Sequence, residues 1–176
     1  MEKYKPLLKI ARESIKSHLH GDKLIIDDNI KKKYSEKQAC FVTLIINGGL
    51  RGCIGSLEAH QELWKDVVDN AINAGFNDYR FNPVSLNELK KIKIEISILT
   101  FPEKLGIGEK VYDKIDNKMG IILKKGWNSA TFLPQVWEQI PLKKQFLEQL
   151  SLKAGLGKDA WKDSEISFYR VESVEE

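Results

Sequence analysis

Apolar residues recur at helical spacing over residues 5–19, at Leu7, Leu8, Ile10, Ala11, Ile15 and Leu19, which predicts a helix with one buried face. Gly21 follows where such a helix would stop. Residues 22–38 are polar and irregular apart from Leu24-Ile25-Ile26, a short segment expected to be buried. The pattern then changes period. CFVTLIINGGLRGCIGSL, starting at Cys40, is two β-rich runs around Asn47-Gly48-Gly49. This predicts a hairpin with a three-residue loop, in which glycine supplies the left-handed position. With Ile46 opposite Leu50, Cys53 falls opposite Thr43, and Cys40 lies near Ser56, too far from Cys53 for a disulfide.

Residues 61–74 read as a second helix with a wide buried face, Leu63, Val67, Ala71 and Ala74 forming one stripe and Trp64, Val68 and Ile72 another. Gly75 is suited to its C′ position. The loop FNDYRFNP follows, and a short polar helix is expected from Leu86 to Lys90. IKIEISIL alternates strictly, Ile92, Ile94, Ile96 and Ile98 on one side and Lys93, Glu95, Ser97 and Leu99 on the other, so it is a strand. Residues 102–118 read as a connection. A second hairpin turns around Lys125 to Asn128, a short helix starts near Pro134, another runs from Leu142 to Ala154, and EISFYRV is a last strand. Strands and helices intermingle without regular βαβ alternation, which makes the fold class α+β.

At 176 residues the chain is expected to be one domain, 1–176, with a smaller subdomain at about 60–120. No apolar run is long enough to span a bilayer, and charges break the apolar positions of the N-terminus, so no membrane segment and no signal peptide are expected. Two cysteines suggest a reducing, cytoplasmic setting with free thiols. The net charge of +3 is spread along the chain, and Lys31-Lys32-Lys33 and Lys90-Lys91 are too short to form a nucleic-acid footprint. Four of the 28 basic residues are arginine, Arg12, Arg51, Arg80 and Arg170. Where lysine is the habitual cation, an arginine points to a need for its planar fork.

LRGCIG, residues 50–55, carries the candidate chemistry. If residues 50–56 form a regular strand, Arg51 and Cys53 share a face, and a guanidinium there lowers a thiol pKa. Gly52 and Gly55 leave room for a ligand or for another backbone. Two readings stand: a thiol at a shallow opening, or a small buried hydrophobe whose glycines let a helix press on the sheet. His60, placed at the start of the helix, is the nearest candidate base, and Glu95 becomes a candidate acid or base if its side of the strand faces a cleft. Asp78 and Arg80 read equally as an ion pair that pins their loop and as binders of a ligand's anionic or amide group. Trp127, Trp137 and Trp161 are expected in the core or on a cleft wall. No zinc-type spacing is present, so no metal is expected, and nothing implies a cofactor.

FVTLIINGGLRGCIGSLEAH, NDYRFNPVSLNELKKIKIEISIL, FLPQVWEQ and FLEQLSLKAGL together resemble, in order over about residues 4–172, the AMMECR family, named for a human chromosomal region linked to Alport syndrome, intellectual disability, midface hypoplasia and elliptocytosis. The resemblance implies a mostly antiparallel sheet flanked by helices, with a smaller subdomain and a cleft between them. It marks Leu50 to Gly55, then Asp78, Arg80, Phe81 and Pro83, then Leu133, Pro134 and Gln135. Ser151 stands where many relatives carry cysteine, which argues against a two-thiol mechanism. Microbial relatives are often encoded beside, or fused to, a Memo-like protein and beside a radical S-adenosylmethionine enzyme. The family's activity is unsettled, and two functions follow. One is an enzyme or ligand-binding protein using Cys53, His60 and Glu95, with Arg51, Gly52, Gly55, Asp78, Arg80 and Gln135 around an unidentified small-molecule or protein substrate. The other is an adaptor in which LRGCIG is a packing element and a Memo-like protein is the partner.

Overall fold

A computed structural model of the chain describes residues 2–176. It has two four-stranded antiparallel sheets with helices, an α+β fold, and divides into two compact units, one running through Leu99 and including Glu172–Glu176, the other Thr100–Val171. The smaller unit is therefore 100–171. Residues 60–99 belong to the first, because their helix and strand share its core.

The first unit contains α1 (Lys5–His20), α2 (Asp28–Lys33), β1 (Cys40–Ile46), β2 (Gly49–Gly55), α3 (Leu63–Phe76), α4 (Leu86–Leu89) and β3 (Lys93–Leu99). Its sheet has the order β2-β1-β3-β8, where β8 is Val171–Glu175. Val42, Leu44, Ile94 and Ile96 are fully buried, in one cluster with Leu7, Ala11 and Ile15 of α1 and Leu63, Val67 and Ala71 of α3. The 3.6-residue and two-residue periods of the sequence thus meet on one surface. Burying each branched aliphatic side chain there contributes about 1.5–3 kcal/mol. Gly21 ends α1 with φ of +70°. Gly75 does not end α3. It lies buried within the last turn, facing Ile15, and the helix continues to Phe76 with Asn77 as its cap. Ile25 is 88% exposed, so the expected burial of Leu24-Ile25-Ile26 fails at its centre.

The first hairpin keeps its expected pairing at Cys53 by a different route. Ile46 pairs with Gly49, not Leu50, leaving Asn47-Gly48 as a two-residue loop with φ of +52° and +76°. Positive φ at both positions is the type I′ geometry that Asn-Gly favours, because its twist matches that of the strands. The register then shifts between Leu44 and Ile45, whose partners are Gly52 and Leu50, so Arg51 is the extra residue of a β-bulge. Shorter loop and bulge cancel, and Thr43 faces Cys53 as expected.

The second unit contains β4 (Glu103–Ile107), α5 (Gly108–Val111), β5 (Gly120–Lys125), β6 (Asn128–Phe132), α6 (Val136–Gln139), α7 (Lys143–Lys153) and β7 (Glu165–Tyr169). Its sheet order is β4-β7-β5-β6. Residues 102–118, expected as a plain connection, supply a strand and a helical turn, because β4 gains its hydrogen bonds only from the distant β7. EISFYRV is likewise two strands. The chain breaks at Arg170, β7 joining this sheet and β8 the first. Trp137 stacks on Phe146 at 3.7 Å and Trp161 is buried, but Trp127, at the tip of the β5–β6 hairpin, is fully exposed.

A Cβ built on Gly52 would lie 2.1 Å from the Ala74 carbonyl oxygen, a backbone atom of α3 that cannot move without the helix. Gly52→Ala should therefore lower stability by about 1–3 kcal/mol, the scale of core overpacking, in chemical denaturation. Gly157→Ala, where the added carbon meets nothing within 4 Å, should stay within about 0.5 kcal/mol.

Candidate functional site

β2 is an edge strand, so one side of its backbone has no strand partner. At Cys53 the loop after α3 takes that side. The amide donates to Asp78 Oδ2 at 2.9 Å, and the carbonyl accepts from Arg80 Nη2 at 3.2 Å. Arg80 also donates from Nε to Asp78 Oδ1 at 2.9 Å and from Nη2 to Oδ2 at 2.7 Å. The pair completes the edge as a further strand would. With both Cys53 backbone groups turned outward, Thr43 and Cys53 are a non-hydrogen-bonded pair, the kind that brings side chains closest. Thr43 Oγ1 lies 3.3 Å from the sulfur of Cys53, a half-buried residue. Asp78 is almost completely buried. The Arg80 guanidinium holds its carboxyl well below the usual range, helped by the Cys53 and Arg80 amides. Of the two roles read for Asp78 and Arg80, the structure displays the ion pair that pins the loop.

The bulge sends Arg51 elsewhere than a regular strand would. Its Nε donates to Glu88 Oε1 at 2.8 Å and its Nη2 to the Asn82 carbonyl at 2.8 Å, and its guanidinium carbon lies 5.8 Å from the centre of the Phe81 ring. Bulges characteristically re-aim a side chain in this way. Glu88 is fixed in turn by a capping box with Ser85, and its pKa is lowered to about 2, first by Arg51 and then by the Ser85 amide. Arg51 Nη1 is enclosed and has no acceptor among the described residues, a condition that ordinarily costs about 1–3 kcal/mol. Gly52 and Gly55 are filled by protein: Gly52 admits the α3 backbone and Gly55 the Phe41 ring, 2.3 Å from where a Cβ would stand.

His60 lies three residues ahead of α3 on an exposed loop, not in its first turn, because Glu62 caps that helix. Its Nδ1 sits 2.9 Å from the Glu58 carbonyl oxygen and its Nε2 is 3.9 Å from Asp66 Oδ1. Among the described residues, neither its hydrogen bond nor its ion pair involves Cys53. Glu95 is paired in register with Thr43, so Cys53, Thr43 and Glu95 stand in one row across three strands on the face opposite the isoleucines. Glu95 accepts a hydrogen bond from Ser97 at 3.3 Å and lines a depression of about 460 Å³ with Lys5, Ser173, Val174 and Glu175. Gln135 belongs to the second unit, where it precedes α6. Ser151 is buried and donates to the Leu147 carbonyl.

Sequence reasoning missed Asp66. Buried in α3, it accepts from the Cys40 amide at 2.9 Å, Asn70 at 3.0 Å and Ser56 at 2.8 Å, fixing the far end of the hairpin as Asp78 fixes the middle. The signal was present: Asp66 and Asn70 interrupt the apolar stripe of α3, and a polar residue within a buried stripe needs local partners. Glu88 was legible too, as the fourth residue of Ser85-Leu86-Asn87-Glu88. Burial pushes the Cys40 thiol well up. Among the described residues no three His, Cys, Asp or Glu side chains converge as metal ligands, and no helix is long and apolar enough to cross a membrane.

Asp78 and Glu88 both titrate lower in the fold than in the unfolded chain. As pH falls below about 4, the unfolded chain takes up these protons first, and the stability they contribute at neutral pH declines. Asp78→Asn should lower stability by about 1–3 kcal/mol at pH 7, with the gap to the native chain narrowing as pH falls below 4. Denaturant unfolding across that range checks this, and a gap independent of pH would exclude the charge as its cause.

The model of the AMMECR1 family matches residues 8–175. A protein of Methanosarcina barkeri is 38% identical over 96% of this chain and 88% of its own, and one of Nanoarchaeum equitans is 37% identical over 94% and 95%. The crystal structure of the uncharacterized protein PH0010 from Pyrococcus horikoshii superposes with a TM-score of 0.79 at 32% identity, covering 99% of this chain and 92% of that one. The match spans both sheets and the whole LRGCIG segment, and this chain belongs to the AMMECR1 family.

Proposed function

We propose that the protein is a cytoplasmic ligand-binding protein or enzyme that engages a small-molecule or protein substrate on the outward face of its first sheet, with the Cys53 thiol touching the bound molecule. One observation carries the reading. Cys53, a half-buried residue, has its backbone tied on both sides, by Asp78 and Arg80, while among the described residues its sulfur has one hydrogen-bond partner, the Thr43 hydroxyl. Neighbouring residues of the hexapeptide are occupied by protein. Gly52 and Gly55 have no open space beside them and Arg51 is engaged by Glu88. The two glycines and the Nε side of Arg51 act as a frame, and the thiol is left for a ligand. Glu95 stands in the same cross-strand row, two strands from Cys53, so a bound molecule that spans β1 would meet both side chains. His60 and Gln135 have no part in this arrangement.

The adaptor reading draws on the same frame: if every residue of LRGCIG serves packing, Cys53 included, the segment is architecture, and the exposed face of the hairpin and the DYRF loop dock a partner such as a Memo-like protein. Alkylation separates the two. With iodoacetamide at neutral pH, Cys53 should be modified in the native chain while Cys40 is modified only after unfolding. The melting temperature of the alkylated protein should fall by less than about 4 °C, the shift that 1 kcal/mol produces in a chain of this size. Equal protection of both cysteines, or a larger drop, favours the adaptor.

A further inference from the structure

We propose that Arg51 and Arg80 form a subsite for an oxyanion, the carboxylate or phosphate group of a ligand, beside the Phe81 ring. The two arginines are committed in the same way. Arg51 uses Nε on Glu88 and Nη2 on the Asn82 carbonyl; Arg80 uses Nε on Asp78 and Nη2 on Asp78 and the Cys53 carbonyl. Each therefore keeps its Nη1 without an acceptor among the described residues. Arg51 Nη1 is enclosed, while the Arg80 side chain is 43% exposed, so one donor is desolvated and the other reachable. An enclosed guanidinium N–H group with no partner is a rare state, and it points to an acceptor that arrives from outside the chain.

One ring ties the two together. The guanidinium carbons of Arg51 and Arg80 lie 5.8 and 5.5 Å from the Phe81 ring centre. Glu88 and Asp78 occupy the Nε side of each fork, so the guanidinium planes are set before a ligand arrives, and the Nη1 edges remain for recognition. Both carboxylates also cancel formal charge. The attraction is consequently short-ranged and carried by hydrogen bonds, which is arginine's chemistry rather than lysine's and gives its use at these two positions a reason in a lysine-rich chain. Because Arg80 donates to the Cys53 carbonyl, the subsite adjoins the residue carrying the thiol. The inference rests on the ligand-binding reading above but requires no reactive sulfur.

Inorganic phosphate and acetate, titrated into the full chain with sodium chloride holding ionic strength constant, test it. The readouts are the melting temperature and the phenylglyoxal modification rate of each arginine, resolved by mass spectrometry. A saturable rise in melting temperature is expected, with modification of Arg80 slowed about threefold at an anion concentration twice the dissociation constant. Arg170, of similar exposure at 44%, should be unprotected. A response to phosphate alone assigns a phosphate group, and a response to both anions a carboxylate-type site. Arg80→Lys should lose the response, while Cys53→Ser should keep it, so an unreactive thiol leaves this inference standing. Equal protection of Arg80 and Arg170, or no shift beyond that of chloride, overturns it, and this comparison needs no variant to fold.

Discussion

The carboxylate of Asp78 accepts the amide of Cys53 while the guanidinium it holds donates to the carbonyl of the same residue. An edge strand ordinarily presents such groups to water or to another chain. Here a loop from the end of α3 satisfies them, so helix, loop and strand are fastened at one point. The Cys53 side chain is then turned toward Thr43, and the loop is held where Phe81 meets both Arg51 and Arg80. Without that carboxylate, the strand edge, the Arg80 fork and the Phe81 contact would lose their common anchor.

Close approach of backbone to backbone is the second constraint. Gly52 lets the Ala74 carbonyl of α3 come to where a side chain would otherwise be, and Asp66, farther up the same helix, accepts the amide at the start of β1. α3 is thus pinned to the sheet by a contact that tolerates no Cβ and by two buried carboxylates, Asp66 within it and Asp78 just beyond it. The apolar stripe supplies most of the burial, but apolar contact is non-directional. The glycine and the carboxylates set the register in which the helix lies.

Much of this was readable along the chain. The isoleucines of β3, the stripe of α3, the stop at Gly21 and the facing of Thr43 and Cys53 follow from periodicity and turn chemistry, which act between residues close in sequence. The misreadings share a different origin. The bulge at Arg51 exists because Asn47-Gly48 prefers a two-residue turn while the strands keep their inward faces buried. Such a compromise between neighbours is invisible when either is read alone. β4 looked like a connection because its partner, β7, lies some sixty residues downstream, and the break at Arg170 separates strands whose sheets are assembled from opposite ends of the chain.

By itself the sequence determined the fold class, the family and the candidate residues, because helical and strand periods, capping residues and a long ordered motif are local properties. Tertiary structure decided which candidates meet. It joined Asp78 and Arg80 to Cys53, turned Arg51 toward Glu88 and Phe81, left His60 on an outer loop and put Gln135 in the other unit. Those outcomes depend on hydrogen bonds between residues some 25 to 40 positions apart, whose geometry exists only with the sheet and α3 packed together. A guanidinium or a carboxylate chooses its partner from what packing brings within 3 Å, and no spacing in the chain encodes that choice.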